Sequence, residues 1–404
     1  MINFEVKEVF LNQFFILFVS VFAGIALGSV RIGNFKLGFS GPLFSSILIS
    51  YFLNRFLIIP EVEKYGADTP AYILSAKSSK LIPTNLFTFS LIIFISSTGL
   101  MASHDFGPVF KKYGIKFIFL GIIVTFSGYL TMYLGKVITN SDLDILKGVF
   151  SGSLTSSPGL GSALENSKSL HSSSDISFGY TLSYIPGVLG VILSMSLLPS
   201  IFKINIDEEK KEFSRSFPSF SKDSFLVKNK GFDYISYSLV TILGIALGTF
   251  SLNLGKIKNL SLGITGGVLI SSLVLGSLKR FWKFNFVMDV NTLKFLQNLG
   301  LVFFLSSIGL QNGYDCVSKI NKDSLVYLVI SFLIILLSIL VGFLIGRYVF
   351  NLNWILLSGA ICGAMTSTPG LGAASETVGS DQVAISYGAV YPFALVCMVV
   401  LLIF

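Results

Sequence analysis

Two stretches decide how this chain folds: Gly148-Val-Phe-Ser-Gly-Ser-Leu-Thr-Ser-Ser-Pro-Gly-Leu-Gly-Ser-Ala-Leu-Glu165 and Gly359-Ala-Ile-Cys-Gly-Ala-Met-Thr-Ser-Thr-Pro-Gly-Leu-Gly-Ala-Ala-Ser-Glu376. They agree at ten of eighteen positions without a gap. Each lies inside an apolar run, and each carries Thr-Ser-x-Pro-Gly-Leu-Gly at its centre. Proline removes a backbone donor and clashes with the preceding turn, and two glycines loosen the turn after it. Lipid cannot satisfy the freed backbone groups, so such a break must be buried in protein or line a wet cavity. A matched pair of interrupted apolar segments is the sequence mark of a central solute site.

The spacing assigns roles. Ser157 and Thr368 are expected as helix N-caps, with Pro158 and Pro369 at the first helical position. Free N–H groups from about Gly159 to Gly161, and from Gly370 to Gly372, are then expected to face a cavity, where the helix dipole favours an anion. Thr155, Ser156, Thr366 and Ser367 add hydroxyls, and Leu160 and Leu371 complete the motif. Such a site suits a small carboxylate, or a cation held by the carbonyl ends of the incoming half-helices. The plain alternative is a kinked helix whose proline and glycines only permit close packing. One copy leaves the two readings level; two matched copies favour the break.

Working outward, the repetition continues. Gly24-Ile-Ala-Leu-Gly28 recurs as Gly244-Ile-Ala-Leu-Gly248, and Ser96-Ser97-Thr98-Gly99-Leu100 as Ser306-Ser307-Ile308-Gly309-Leu310. Ile176-Ser-Phe-Gly179 recurs as Ile385-Ser-Tyr-Gly388, with Pro186 and Pro392 a few residues on. Twelve apolar segments can be drawn: 9–30, 36–56, 84–103, 114–136, 144–165 and 176–202, then 232–250, 259–278, 292–311, 323–350, 354–376 and 381–404. The expected organisation is a transmembrane repeat over 1–202, a cytoplasmic linker over 203–230 and a second transmembrane repeat over 231–404. The linker, with Asp207, Glu208, Glu209, Lys210, Lys211, Glu212 and Arg215, reads as solvated and too short for a domain.

Composition agrees. Of 404 residues, 52% are hydrophobic and 12% charged, about half the charge of an ordinary globular chain. Disorder, coiled coil and disulfide-rich modules are excluded. The net charge of +8 is spread over loops, so it reads as positive-inside bias and not as a nucleic-acid footprint. Cys316, Cys362 and Cys397 show no metal spacing, and no metal or cofactor is expected. The N-terminal run is too long for a cleaved signal and reads as the first membrane helix. The fold class is therefore an all-α integral membrane protein of two homologous repeats, each of about six segments with a discontinuous or re-entrant fifth. A re-entrant fifth segment leaves five crossings per half and makes the repeats inverted; a crossing one makes them parallel. Lys and Arg counts by side lean slightly to the parallel case without deciding it, and the mechanism of two facing half-helix ends favours inversion.

Other residues are weaker candidates. Ser96, Ser97, Thr98, Ser306, Ser307 and Gln311 are expected to line the cavity, against an even alternative of interhelical bonding. Tyr184 and Tyr391 lie near the prolines of the final segments, where contact with substrate competes with packing. Glu165 and Glu376 are the matched acids after each break, candidates for coupling to Na⁺ or H⁺, or else markers of where the half-helix meets water. Asp175 and Asp381 read as helix-start residues, and Arg347 as a snorkelling end residue. His104 and His171 are placed in loops. With no Ser–His pair, no phosphate-binding loop and no midplane acid in the first four segments of either half, an enzyme, a built-in ATPase and a paired-aspartate proton antiporter are all disfavoured.

The duplicated Gly-x3-Gly-x2-Thr-Ser-[Ser/Thr]-Pro-Gly-Leu-Gly, with the Ser-Ser-x-Gly-Leu elements and the later Tyr-x-Pro (Tyr184 to Pro186) and Tyr-Pro (Tyr391, Pro392), resembles the aspartate–alanine exchanger family of bacterial antiporters. The likeness spans both halves. It implies a secondary antiporter of the bacterial inner membrane that exchanges small carboxylates or amino acids, with both motif copies on the substrate. Members often carry soluble regulatory domains of the potassium-channel-regulator type between the halves, where this chain has only 203–230. The expected partners are the small-molecule substrate and the lipid bilayer, with no nucleic acid and with a homodimer left open. An ion- or proton-coupled symporter of organic anions is the second reading, and a channel the third.

Overall fold

The computed structural model describes residues 6–29, 31–32, 35–36, 41–78, 81–156, 159–160, 163, 170–216, 231–254, 257–318 and 324–403. Sixteen α-helices carry the described part. They are α1 Val6–Phe10, α2 Gln13–Ser29, α3 Gly41–Leu53, α4 Ile59–Tyr65, α5 Ala71–Ser78, α6 Thr84–Thr139, α7 Leu143–Ser153, α8 Leu170–Ile201, α9 Ile206–Ser216, α10 Tyr234–Thr249, α11 Gly263–Ser277, α12 Val290–Ser318, α13 Leu325–Leu344, α14 Trp354–Ala364, α15 Thr368–Val378 and α16 Val383–Ile403. Two π-helical turns, Asn54–Ile58 and Ile345–Val349, extend α3 and α13. Three two-stranded antiparallel hairpins join helices.

Seven helical stretches are long and apolar enough to cross a bilayer, and shorter apolar helices stand at Gln13–Ser29, Tyr234–Thr249, Gly263–Ser277 and Trp354–Ala364. Among the described residues these match eleven of the twelve apolar segments read from sequence; the remaining one, 144–165, is only partly described. The third and fourth segments are two candidate spans, Thr84–Ser103 and Phe106–Thr139, joined without a loop in one helical run with Pro108 inside it. His104 therefore lies in a helix and not a loop, and so does His171, in α8. Asp175 falls inside α8, not at its start.

The chain forms two compact units, and their boundaries cut across the sequence halves. One holds Met1–Phe94 with Asn298–Ile320; the other holds Ile95–Gln297 with Asn321–Phe404. In the first unit, Leu11, Ile16, Leu17, Ile58, Ile73 and Leu310 build a core. Gly309 of α12 seats on α3, where a Cβ would stand 2.0 Å from Ser46 Oγ, and Ser50 Oγ donates to the Leu310 carbonyl at 2.8 Å. In the second unit, Gly99 of α6 seats on α11, a Cβ there meeting Ser272 Cβ at 2.6 Å. The repeated Ser-Ser-x-Gly-Leu element is thus a helix contact, and each copy packs on the second segment of the other half. Small residues allow that approach where apolar burial gives helices no drive to associate in lipid.

The same exchange holds deeper in the second unit. Thr125 Oγ1 of α6 donates to the Ala364 carbonyl of α14 at 3.3 Å, while Ser331 of α13 shares a 2.8 Å hydrogen bond with Ser153 of α7. The fourth segment of each half reaches the broken fifth segment of the other.

The linker departs from expectation. Residues 206–216 form α9, and its Glu209 and Phe213 are buried. A charged stretch becomes an ordered, docked element because its one deeply placed carboxylate finds an ion partner, Arg347. Residues 217–230 lie outside the described set.

Candidate functional site: two facing helix breaks

The fifth segment of the second half is two helices, α14 and α15. Asn353 caps α14, its Oδ1 accepting the Ile355 N–H at 2.9 Å. At the other end Ser367 N–H reaches back to the Cys362 carbonyl at 2.8 Å, and Thr366 N–H to Gly363 at 3.1 Å. That bond pair is the helix-ending motif that normally puts glycine in the left-handed position. Here Thr366 occupies it, at φ +50°. A β-branched residue at positive φ is strained.

The first half repeats this bond for bond. Asp142 caps α7, accepting the N–H groups of Asp144 and Ile145. Ser156 N–H bonds the Ser151 carbonyl at 2.8 Å, Thr155 N–H bonds Gly152 at 2.8 Å, and Thr155 stands at φ +54°.

Because threonine reverses the chain, the next helix starts one residue earlier than proline alone suggests. Ser367, not Thr368, is the N-cap of α15, and its Oγ accepts the Gly370 N–H at 3.2 Å. Thr368 is the first helical residue, and Pro369 comes second, where its lack of an N–H is still harmless. In the first half Ser156 makes the matching bond, accepting from Gly159 N–H at 3.1 Å. Ser157, Pro158, Gly161 and Glu165 lie outside the described residues. The cap also corrects the expected free amides. Leu160 and Leu371 N–H groups bond the carbonyls of Ser156 and Ser367, both at 3.0 Å, so Gly159, Leu160, Gly370 and Leu371 spend their donors on the turn. Gly372 continues α15.

The two breaks touch. Thr366 Oγ1 donates to the Leu154 carbonyl at 3.1 Å, and Thr155 Oγ1 donates to the Met365 carbonyl at 3.4 Å. Helix ends leave carbonyls without intrahelical partners; each threonine supplies a donor to the other copy's end. The exchange is reciprocal, as across a two-fold axis. Thr155, Ser156, Thr366, Ser367 and Thr368 are all buried.

Helix directions define the breaks further. Ser172, at the start of α8, donates to the Asp144 carboxylate at the start of α7. Cβ atoms built on Gly148 and Gly152 would lie 2.0 Å from the Ile176 carbonyl and 2.7 Å from the Tyr180 carbonyl. The contacts advance together, so α7 and α8 run side by side in the same direction, and α8 starts at the end where α7 started. The second half behaves alike: Gly359 faces the Val383 carbonyl at 2.0 Å and Gly363 the Tyr387 carbonyl at 2.6 Å. α14 and α15 together would be about 37 Å long if straight. Yet Glu209 holds the first residue of α14 while the next residue, Lys210, lies beside Gly379 at the end of α15. The fifth segment of the second half is a hairpin with both ends on one side.

Around this centre, Tyr391 stacks on Tyr387 with centroids 5.7 Å apart, and Tyr184 on Tyr180 at 5.2 Å. Tyr387 shares a 3.3 Å hydrogen bond with Thr368, and Tyr391 donates to the Leu262 carbonyl. Tyr387 is a site residue that motif reading passed over; its signal was its place one turn before Tyr391 on a helix that must pack against the break. Ser96 and Ser97 share hydrogen bonds with Tyr237, at 2.6 and 3.4 Å. Thr98 accepts from Gln297, whose amide also donates to Asp381 at 2.9 Å. Ser306, Ser307 and Gln311 belong to the other compact unit. There Gln311 donates to the Ile82 carbonyl, while the buried Ser306 and Ser307 hydroxyls have no partner among the described residues. Glu376 is exposed at the outer end of α15. Among the described residues, no group of three His, Cys, Asp or Glu could hold a metal.

This architecture defines the class: a multi-span, all-helical membrane protein of two homologous halves, each with a broken fifth segment. A family model described as the predicted permease membrane region matches residues 16–200 and again 236–404. The chain belongs to that family, the aspartate–alanine exchanger family. It is 22% identical to an uncharacterized transporter of Bacteroides thetaiotaomicron, over 96% of this chain and 97% of the relative. It is similar to the same extent to an uncharacterized transporter of Bacteroides fragilis. A third relative, an uncharacterized transporter of Rhodopirellula baltica, is 35% identical over 42% of this chain and 31% of its own length.

Proposed function

We propose that this chain is a secondary transporter of the bacterial inner membrane, an antiporter that exchanges small carboxylates or amino acids by alternating access. The observation that carries the reading is the reciprocal bonding of the two breaks, Thr366 to Leu154 and Thr155 to Met365. At that junction the carbonyl ends of α7 and α14 meet. α15 leaves its break amino end first, so the positive end of its dipole lies there although its first amides are bonded within the turn. Carbonyl ends favour a cation and amino ends an anion, so a zwitterion with ammonium and carboxylate on neighbouring atoms fits both. Entry of such a solute requires the threonine bonds to part, which is the step alternating access supplies. The relatives' names as transporters support the general class.

The hairpin of the second half, and the parallel course of α7 and α8 in the first, also support inverted repeats. A fifth segment that returns to its own side leaves five crossings in the first half, so the second half starts from the opposite face. Positive-inside bias, with seven basic residues in 203–230, puts the connector and the base of the second hairpin in the cytoplasm. Glu376 and its counterpart Glu165 are the acids to test for Na⁺ or H⁺ coupling.

The experiment is counterflow with purified protein in liposomes loaded with single amino acids or dicarboxylates. Uptake of label that depends on a trans substrate is the expected result. Rapid flux with no trans requirement would favour a channel. Uptake driven only by an imposed ion gradient would favour the symporter.

A further inference from the structure

Glu209 of α9 accepts three contacts from the base of the second hairpin. Its carboxylate takes a hydrogen bond from Arg347 Nη2 at 2.7 Å and another from the Trp354 backbone N–H at 2.6 Å; its carbonyl takes one from Asn353 Nδ2 at 2.8 Å. Trp354 is the first residue of α14, so the negative charge sits at the positive end of that helix. One residue on, the Lys210 ammonium lies beside Gly379, and a Cβ on that glycine would stand 3.1 Å from it. Gly379 ends α15 in the left-handed conformation, at φ +62°. A cation there meets the negative end of the second half-helix.

We propose that α9 is a clamp on the second hairpin and that Glu209 is its positioning residue. Adjacent residues of opposite charge hold opposite helix ends, fixing both legs of the hairpin from outside and so the depth at which Thr366 and Ser367 meet the first hairpin. The connector is then part of the machinery and not a tether. Its effect on exchange rests on the transporter reading; its effect on the hairpin does not. The carboxylate is buried and paired, and removing one member of such a pair strands the other, here Arg347 together with an unsatisfied amide at the head of α14.

The test uses a reporter already in place: Cys362, a free thiol buried on α14. In the full chain with C316S and C397S, the rate of Cys362 modification by a small methanethiosulfonate reagent measures how often the hairpin opens. Glu209→Gln should raise that rate by about tenfold or more, as loss of a charged bond would. Glu209→Asp should keep most of the protection, and Glu208→Gln, at an exposed neighbour, should leave the rate unchanged. A Glu209→Gln protein that elutes as one species and labels within about twofold of its parent overturns the clamp. If that variant does not yield folded protein, Lys210→Met is read instead, with a rise expected and an unchanged rate counting against the proposal. No substrate enters the readout, so its failure is distinct from failure of the transporter reading.

Discussion

Thr155 and Thr366 stand 211 positions apart in the chain and hold the same left-handed backbone conformation, φ +54° and +50°. Each gives its hydroxyl to the residue before the other. The strain of a β-branched residue in that region costs of order 1–3 kcal/mol. Glycine would remove it, and it would also remove the hydroxyl that joins the two breaks.

Replacing Thr366 by Val should therefore cost transport activity while Thr366→Ser keeps most of it. The valine keeps the shape but leaves the Leu154 carbonyl without its donor, a loss of about 1–3 kcal/mol for a buried acceptor. Thr155→Val should act alike. Because the two bonds share one junction, the double variant should lose less than the sum of the singles. Additive losses in a thermal-shift and counterflow cycle would count against a joined junction.

Gly148→Ala and Gly359→Ala should each abolish folded protein. A methyl at either position would stand 2.0 Å from a backbone carbonyl, of Ile176 or of Val383, an atom that cannot turn aside as a side chain can. Overpacking of this kind costs about 1–3 kcal/mol or more. Gly107→Ala, with nothing within 4 Å, is the control and should express as the parent does. Fluorescence-detected gel filtration reads all three.

Ser367→Ala and Ser156→Ala should destabilise by about 1 kcal/mol each, the usual worth of an N-cap. Thr368→Ala should not lose a cap, since Thr368 lies inside the helix. The reverse ranking in detergent melting curves would restore the cap to the position that proline spacing alone assigns.

Asp233 caps α10. Its carboxyl is held below the usual carboxylate range, first by the Ser236 hydroxyl and then by the Ser236 and Ile235 amides. A lowered folded value means that the cap's contribution is present above the unfolded value of about 3.9 and fades as pH falls through the folded one. Asp233→Asn, which still caps but does not titrate, should flatten the loss of stability on acidification below about pH 4. An identical acid profile for parent and variant would argue against this residue as the source.

What the sequence made legible was covalent pattern: apolar segments, the repeat, and the fact of a break. Proline and glycine at matched places break helices by local sterics, so no tertiary knowledge was needed. Proline spacing misplaces the cap by one residue because the reversal is made by threonine in a glycine-like conformation, which no composition rule anticipates. α9 escaped because Glu209 is buried by its partners: the charge that looks solvated in 203–230 is neutralised by Arg347, more than a hundred residues away. The orphaned Ser306 and Ser307 are also a tertiary matter. Their counterparts Ser96 and Ser97 bond Tyr237, and where the repeat would put a tyrosine for them the chain has Leu17.

The crossed contacts, Thr125 with Ala364 and Ser331 with Ser153, carry a historical implication. A surface whose partner is its own likeness is what a symmetric pair of separate subunits displays. Half of this polypeptide, produced alone, would lack the contacts that only a twin supplies, and a second copy could supply them. Duplication and fusion of one gene would then have joined partners that had already met.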